Sequence, residues 1–233
     1  MLELRNITYE VEDNQDNKEI LKDVSLTIDE HFVAITGPNG GGKSTLAKII
    51  AGIIKPTSGQ IILDGEDITE LDITERAKQQ PVHFKGLTVK DLITIAAGRT
   101  MTVNEICEIL SEVGLCAREY IDREINGSLS GGELKRIEIA MITARGTKLS
   151  IFDEPEAGID LWSFSMLIEQ FEKMHKEKKQ SLILISHQER IIQMADRIMV
   201  IEGGKIASIG QTADILPQLL GKTADSYSCL KCR

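Results

Sequence analysis

The sequence predicts an α/β fold: a parallel sheet covered by helices on both faces, entered through antiparallel strands and interrupted by a helical block. Three observations predict it. Short β-branched apolar runs alternate with helical stretches toward both ends of the chain, a glycine loop joins one such run to a helix, and residues 83 to 147 carry helical patterns without a strand between them.

Along the chain, LELRNITYEV and ILKDVSLTI alternate apolar and polar residues on either side of the polar stretch EDNQDNKE, which predicts two antiparallel strands. HFVAIT (31 to 36) predicts a short strand, and KSTLAKIIAG (43 to 52) a helix closed by Gly52. QIILDG predicts a further strand, and LDITERAK a short helix with Asp72 as its N-cap. TVKDLITIAAG and TVNEICEILSEVGL each open on a capping-box spacing, Thr88 to Asp91 and Thr102 to Glu105. Cys107 and Cys116 fall in these apolar stretches, so both are expected to be buried packing. KLSIFDE, SLILIS and RIMVIEGGKIASIG read as strands separated by helices near 160 to 178 and 188 to 195, the alternation that implies a parallel sheet. The expected division is a core of 1-82 and 148-220, a helical subdomain of 83-147 and a tail of 221-233.

With 233 residues, 42% hydrophobic and 27% charged, the chain is long enough to bury a full core. Its net charge of -9 argues against nucleic acid or an anionic bilayer as a broad partner, since either is repelled over most of the surface. No apolar run approaches the roughly 20 residues of a membrane helix, and MLELRNITYE lacks a basic segment leading into an apolar one, so a cytoplasmic protein without direct membrane insertion is expected. Cysteines at 107, 116, 229 and 232 are too scattered for a disulfide scaffold. Cys229 and Cys232 in SYSCLKCR stand at C-x-x-C spacing, but a structural metal site takes four ligands and no second pair is near. Contact with a metal or cluster would need help from a partner.

GPNGGGKS, residues 37 to 44, fits G-x-x-x-x-G-K-[ST] between a strand and a helix. In the run Gly37, Pro38, Asn39, Gly40, Gly41 and Gly42 the glycines would let backbone N–H groups turn inward around a phosphate, and Lys43 would supply charge to its β and γ oxygens. Ser44 would ligate Mg²⁺, with Thr45 next on the helix. KLSIFDEP brings Asp153 to a strand's carboxyl end, where it should hold Mg²⁺, and Glu154 beside it could take a proton from an attacking water. Gln79 in KQQP, Asp160 ending EAGID and His187 after SLILIS are further polar candidates. LSGGELKRIEIA (129 to 140) opens a second helix on a glycine turn at Ser130, Gly131 and Gly132, an anion site with no second anion in its own chain.

GPNGGGKS, the Gln of KQQP, LSGGE, LSIFDEP, AGID and the His of ISHQ stand in the order of the ATP-binding-cassette (ABC) ATPases, which the chain resembles over nearly its whole length. The resemblance implies a P-loop NTPase fold with a RecA-like core, ATP and Mg²⁺ as ligands, and hydrolysis to ADP and phosphate. It further implies a transient ATP-dependent homodimer in which Ser130–Gly131–Gly132 of one subunit meets the γ-phosphate on the other. By the same resemblance Gln79 contacts Mg²⁺ and the attacking water, Glu154 is the base, His187 holds the γ-phosphate and Asp160 belongs to the nucleotide site. Many members stack adenine on an aromatic residue after the first strand, and here Val11 or Tyr9 stands in that place. SGGELKRIEIA, DEPEAGIDLW, ISHQERII and QQPVHFKGLTV resemble the SufC branch of iron–sulfur cluster assembly, implying a SufB/SufD-like scaffold partner. The alternative is the ATP-binding subunit of a membrane ABC transporter.

Overall fold

The computed structural model describes residues 1–13, 16–72, 76, 87–125, 129–178 and 180–228, without the side chains of residues 12, 13, 16, 17, 162 and 222–228. By internal contacts it divides into two compact units, Met1–Arg76 with Ile151–Glu154 and Ile183–Arg233, and Ala77–Ser150 with Pro155–Leu182. The range of the second unit contains the whole of 83 to 147, extends it to Ala77–Ser150 and adds Pro155–Leu182.

In the first unit, β1 (Leu2–Asp13) and β2 (Asp16–Ile28) pair antiparallel, as their alternation predicts. β4 (Ser58–Leu63) pairs with the other edge of β1, also antiparallel, and β5 (Glu66–Asp67) follows it. The core sheet has the order β6-β7-β3-β8-β9, formed by β6 (Leu149–Asp153), β7 (Ser181–Ile185), β3 (Phe32–Thr36), β8 (Arg197–Glu202) and β9 (Lys205–Gln211). β3 lies at its centre with all five residues buried, which is why it carries no polar alternation. β3 and β8 run parallel, but β9 returns antiparallel through Gly203 and Gly204, so the last expected strand is a hairpin. Two glycines at φ 57° and 80° make that turn, in the left-handed region that tight hairpins require.

Helix α1 (Lys43–Ala51) buries Leu46, Ala47, Ile49 and Ile50 on one face and ends at Gly52, whose φ of 77° lets its N–H reach back to the last turn. Arg76 closes the same end: its guanidinium donates to the carbonyls of Ile49 and Ile50, each at 2.7 Å, of Leu71 at 2.8 Å and of Thr69 at 3.0 Å. Asp72 accepts from the Arg76 N–H through its carbonyl at 2.9 Å, while the rest of the helix expected in LDITERAK lies outside the described residues. Helix α7 (Glu189–Met194) packs on β3, and α8 (Thr212–Ser228) on β8 and β9.

The second unit is helical: α2 (Val89–Ala97), α3 (Val103–Glu112), α4 (Ala117–Tyr120), α5 (Gly131–Arg145) and α6 (Leu161–Glu177). Both α2 and α3 pack against α5. Val89 with Ile93, and Ile106 with Leu110, form buried i, i+4 pairs. Both expected capping boxes form, and Ser130 with Glu133 makes a third at the start of α5. Cys107 is only half-buried, and Cys116 is exposed as the N-cap of α4, so the expectation of buried thiols fails: the apolar run ends at Leu115, one residue before Cys116. Cys229 and Cys232 lie outside the described residues.

The capping carboxylates predict an acid response. Arg99 and then Thr102 hold Glu105 at about 2, Tyr120 and then Ser130 hold Glu133 at about 2, and the Thr88 hydroxyl and N–H lower Asp91. Each is depressed on folding, so its stabilisation is complete above the ordinary pKa of 4.5 for the two glutamates and lost as pH falls toward about 2. Replacing Glu105 and Glu133 together by Gln should flatten the fall in urea-unfolding stability between pH 5 and pH 3. An unchanged slope would remove the caps from acid sensitivity.

Candidate nucleotide site

Three core strands end on predicted residues. β3 runs into Gly37, β6 delivers Asp153, and β7 is followed by Ser186 and His187. These carboxyl ends are where open α/β sheets hold ligands.

The loop from Gly37 to Gly42 is tightly built. Gly37 has φ 133°, and a Cβ there would lie 2.1 Å from the Ile201 carbonyl oxygen of β8. Gly42, the N-cap of α1, has φ 104°. The Gly41 N–H donates to Pro38 O at 3.1 Å, and Gly41 O accepts from the Gly204 N–H at 3.1 Å. Gly204 O in turn accepts from the Lys22 N–H at 2.8 Å, so the β8–β9 turn braces the loop from behind. Gly204 was not among the predicted site residues, although the Gly-Gly pair between two apolar runs is a hairpin signal that could have found it.

Lys43 is 5% exposed, and its Nζ donates to Gly37 O at 2.7 Å and Pro38 O at 3.0 Å. Burial pushes its pKa down, opposed by the Glu154 and Asp153 carboxylates. Ser44 Oγ donates to Asp153 Oδ1 at 3.1 Å. A hydroxyl and a carboxylate at that separation are hard oxygen donors of the kind Mg²⁺ takes, phosphate and water completing its shell. Thr45 follows, half-buried, in the first turn of α1.

Directly after Asp153 the chain turns sharply. Glu154 has φ 47°, and its N–H donates to Ile185 O at 2.9 Å. A non-glycine residue held there costs about 1–3 kcal/mol, a strain that collects at functional sites. Its effect is that the two carboxylates diverge: Asp153 faces Ser44, while Glu154 Oε1 lies 3.7 Å from His187 Nε2. Buried Ser186 holds the turn at His187 by accepting the Gln188 N–H at 2.9 Å. His187, Pro38 and Asn39 line one cavity of about 480 Å³, walled on its apolar side by Ile192 and Leu216.

The phosphate loop, Asp153, Glu154 and His187 therefore meet in one unit, whereas Gln79 lies outside the described residues. Tyr9 is half-buried on β1 and Val11 exposed. In the helical unit, Asp160 is committed to capping α6, accepting the Ser163 N–H at 3.0 Å and its hydroxyl at 2.7 Å. Ser130 Oγ accepts the Glu133 N–H at 3.2 Å. Gly131 and Gly132 are helical, and a Cβ on either would meet nothing within 4 Å among the described residues. Among the described residues neither conformation nor crowding requires glycine there. Among the described residues no group of three or more His, Cys, Asp or Glu could hold a metal ion, and no helix is long and apolar enough to cross a membrane.

A family profile described as ABC transporter matches residues 21–157, more than half of the chain. The chain belongs to this family. The ABC ATPase is 40% identical over 215 residues to an uncharacterized ABC transporter ATP-binding protein of Methanocaldococcus jannaschii, covering 85% of this chain and 86% of that protein. It is 32% identical over 233 residues to the probable ATP-dependent transporter ycf16 of Cyanophora paradoxa, covering 90% and 88%. Among solved structures, a dimeric ATP-binding cassette in a post-hydrolysis state, bound to ADP and Pi, matches with a TM-score of 0.79 and 25% identity over 91% of this chain and 99% of that one. The ABC ATPase has the P-loop NTPase fold of such cassettes, binds ATP with Mg²⁺ and hydrolyses ATP.

Proposed function

We propose that this ATPase works as a head-to-tail pair, each copy closing the other's nucleotide site with Ser130–Gly132, and that it acts, as a SufC-like subunit, on a SufB/SufD-like scaffold during iron–sulfur cluster assembly. The glycine pair carries the first half of the proposal, since an approach from outside the chain accounts for two glycines that nothing among the described residues requires. The dimeric state of the matched cassette supports it. The second half rests on the resemblance of SGGELKRIEIA and ISHQERII to that branch.

In the cycle that follows, loop N–H groups and Lys43 hold the β and γ oxygens, and Ser44, Asp153 and Gln79 would hold a Mg²⁺ ion that would offset phosphate charge. Glu154 accepts the proton of the attacking water, and His187 steadies the γ-phosphate. Asp160, through its cap on α6, sets the loop after Glu154. Charge and hydrogen bonds from the second copy's Ser130 turn complete the site.

Gly131→Ala tests the pairing. Folding stability should hold or rise by up to about 1 kcal/mol, as alanine is the better helix residue. Steady-state turnover should nevertheless fall at least about tenfold, because the new methyl group stands where the partner's phosphate must come. Unchanged turnover would count against a shared site. Capture of partners on the tagged chain from native lysate tests the second half, with a soluble scaffold expected. The names of the relatives favour the other reading, a transporter subunit, and recovery of an integral membrane permease would establish it in place of the scaffold.

A further inference from the structure

The Ser130 turn carries an electrostatic conflict. Glu133 Oε2 accepts the Ser130 N–H at 2.6 Å, which puts a full negative charge in the same first turn of α5 that the pairing proposed above brings to a terminal phosphate. Two anions in one turn repel, and the more so as water is excluded between them. The cap itself is compatible with an anion. Ser130 Oγ uses a lone pair for the Glu133 N–H, so its proton can be donated to an incoming oxygen.

The second carboxylate oxygen answers the conflict. Glu133 Oε1 accepts from the Tyr120 hydroxyl and from Arg123 Nη1 at 3.2 Å, and the Arg123 guanidinium lies 5.2 Å from the centre of the Tyr120 ring. The Glu133 side chain is 15% exposed and that of Arg123 34%, so the pair is only partly screened by water. The backbone bearing the cation is itself pinned beside α2, where Arg123 O accepts the Val89 N–H at 3.0 Å, Ile121 O accepts the Lys90 N–H at 3.0 Å, and Leu87 O accepts the Ile125 N–H at 2.9 Å.

We propose that Arg123 and Tyr120 are positioning residues of the ATPase: they neutralise and hold the Glu133 carboxylate so that the Ser130–Gly132 turn can accept the γ-phosphate bound by a second copy of this chain. The inference rests on head-to-tail pairing. It differs from a merely structural role in one respect, namely that the cation is needed only while Glu133 is charged.

The test uses the full chain in a Glu154→Gln background, with MgATP-dependent association measured by sedimentation velocity at low and moderate salt. Arg123→Gln should weaken association by about tenfold or more, with the larger loss at low salt, where repulsion is less screened. The affinity of the separate chain for ATP, set by the phosphate loop, should stay within about twofold. Adding Glu133→Gln removes the charge that needed the cation and should restore association to within about threefold of the parent. Tyr120→Phe keeps the charge balance and should weaken association by only about threefold, and it carries the test if Arg123→Gln proves misfolded by its thermal transition. A parent that fails to associate overturns the pairing and this inference with it. A parent that associates, with Arg123→Gln indifferent or Glu133→Gln unable to rescue it, overturns the counter-charge role alone.

Discussion

Glu154→Gln is expected to leave ATP bound and to slow its hydrolysis by about a hundredfold to ten-thousandfold, the range a positioned general base contributes. Glutamine keeps the shape of the side chain, so the turn at φ 47° and the bond to Ile185 O should survive and the effect should appear in kcat. The same variant should accumulate the ATP-bound pair, because the step that releases it is blocked. Single-turnover phosphate release at saturating MgATP measures the first expectation, and sedimentation the second. Turnover at the parent's rate would take the base role from Glu154 and pass it to another group. Asp153 is the poorer candidate, since its carboxylate already accepts the Ser44 hydroxyl at 3.1 Å.

Gly37→Ala should be the most damaging single-methyl change in the loop. The added Cβ would stand 2.1 Å from the Ile201 carbonyl oxygen, a backbone atom with no rotamer to change, and φ 133° is closed to an L side chain. Either the loop leaves β8 or β8 leaves the sheet. A destabilisation of about 2–4 kcal/mol and loss of ATP binding are expected together, read by urea unfolding and by fluorescent-nucleotide titration. Gly40→Ala is the control: a Cβ there meets nothing within 4 Å, although φ 76° still disfavours it, so its loss should be smaller. Equal losses at the two positions would show that backbone conformation, and not the contact with Ile201, governs the loop.

The phosphate site was legible in the sequence because its chemistry is local. Six loop residues, Lys43 and Ser44 are consecutive, and the strand before them and the helix after them follow from short-range patterning. Asp153 and Glu154 could be placed at a strand end, but the positive φ that sends their carboxylates apart has no signature in a Glu between Asp and Pro. The antiparallel β1–β2 pair was readable, whereas the pairing of β1 with β4 on its other edge joins residues about 55 apart and leaves no local trace. Cys116 differs from its expected burial because the apolar run stops at Leu115 and the next residue is a helix cap. Tyr120 and Arg123 have no signature in the sequence for a related reason. They reach Glu133 across 13 and 10 residues through side chains alone, and each by itself reads as an ordinary surface residue.

The Arg76 clamp bears on how the nucleotide is received. A nine-residue helix such as α1 is too short to persist in water by itself, and binding that had to fold it would lose affinity to the ordering. Here the end away from the phosphates is already finished: Gly52 and the Arg76 guanidinium satisfy its last carbonyls, and a positive charge answers the negative pole of the helix. The opposite pole, whose first N–H groups have no partner within the helix, is thereby left facing the loop as a finished receptor. ATP meets a socket and not a hinge, so the free energy of its phosphate contacts is kept for whatever movement follows its arrival.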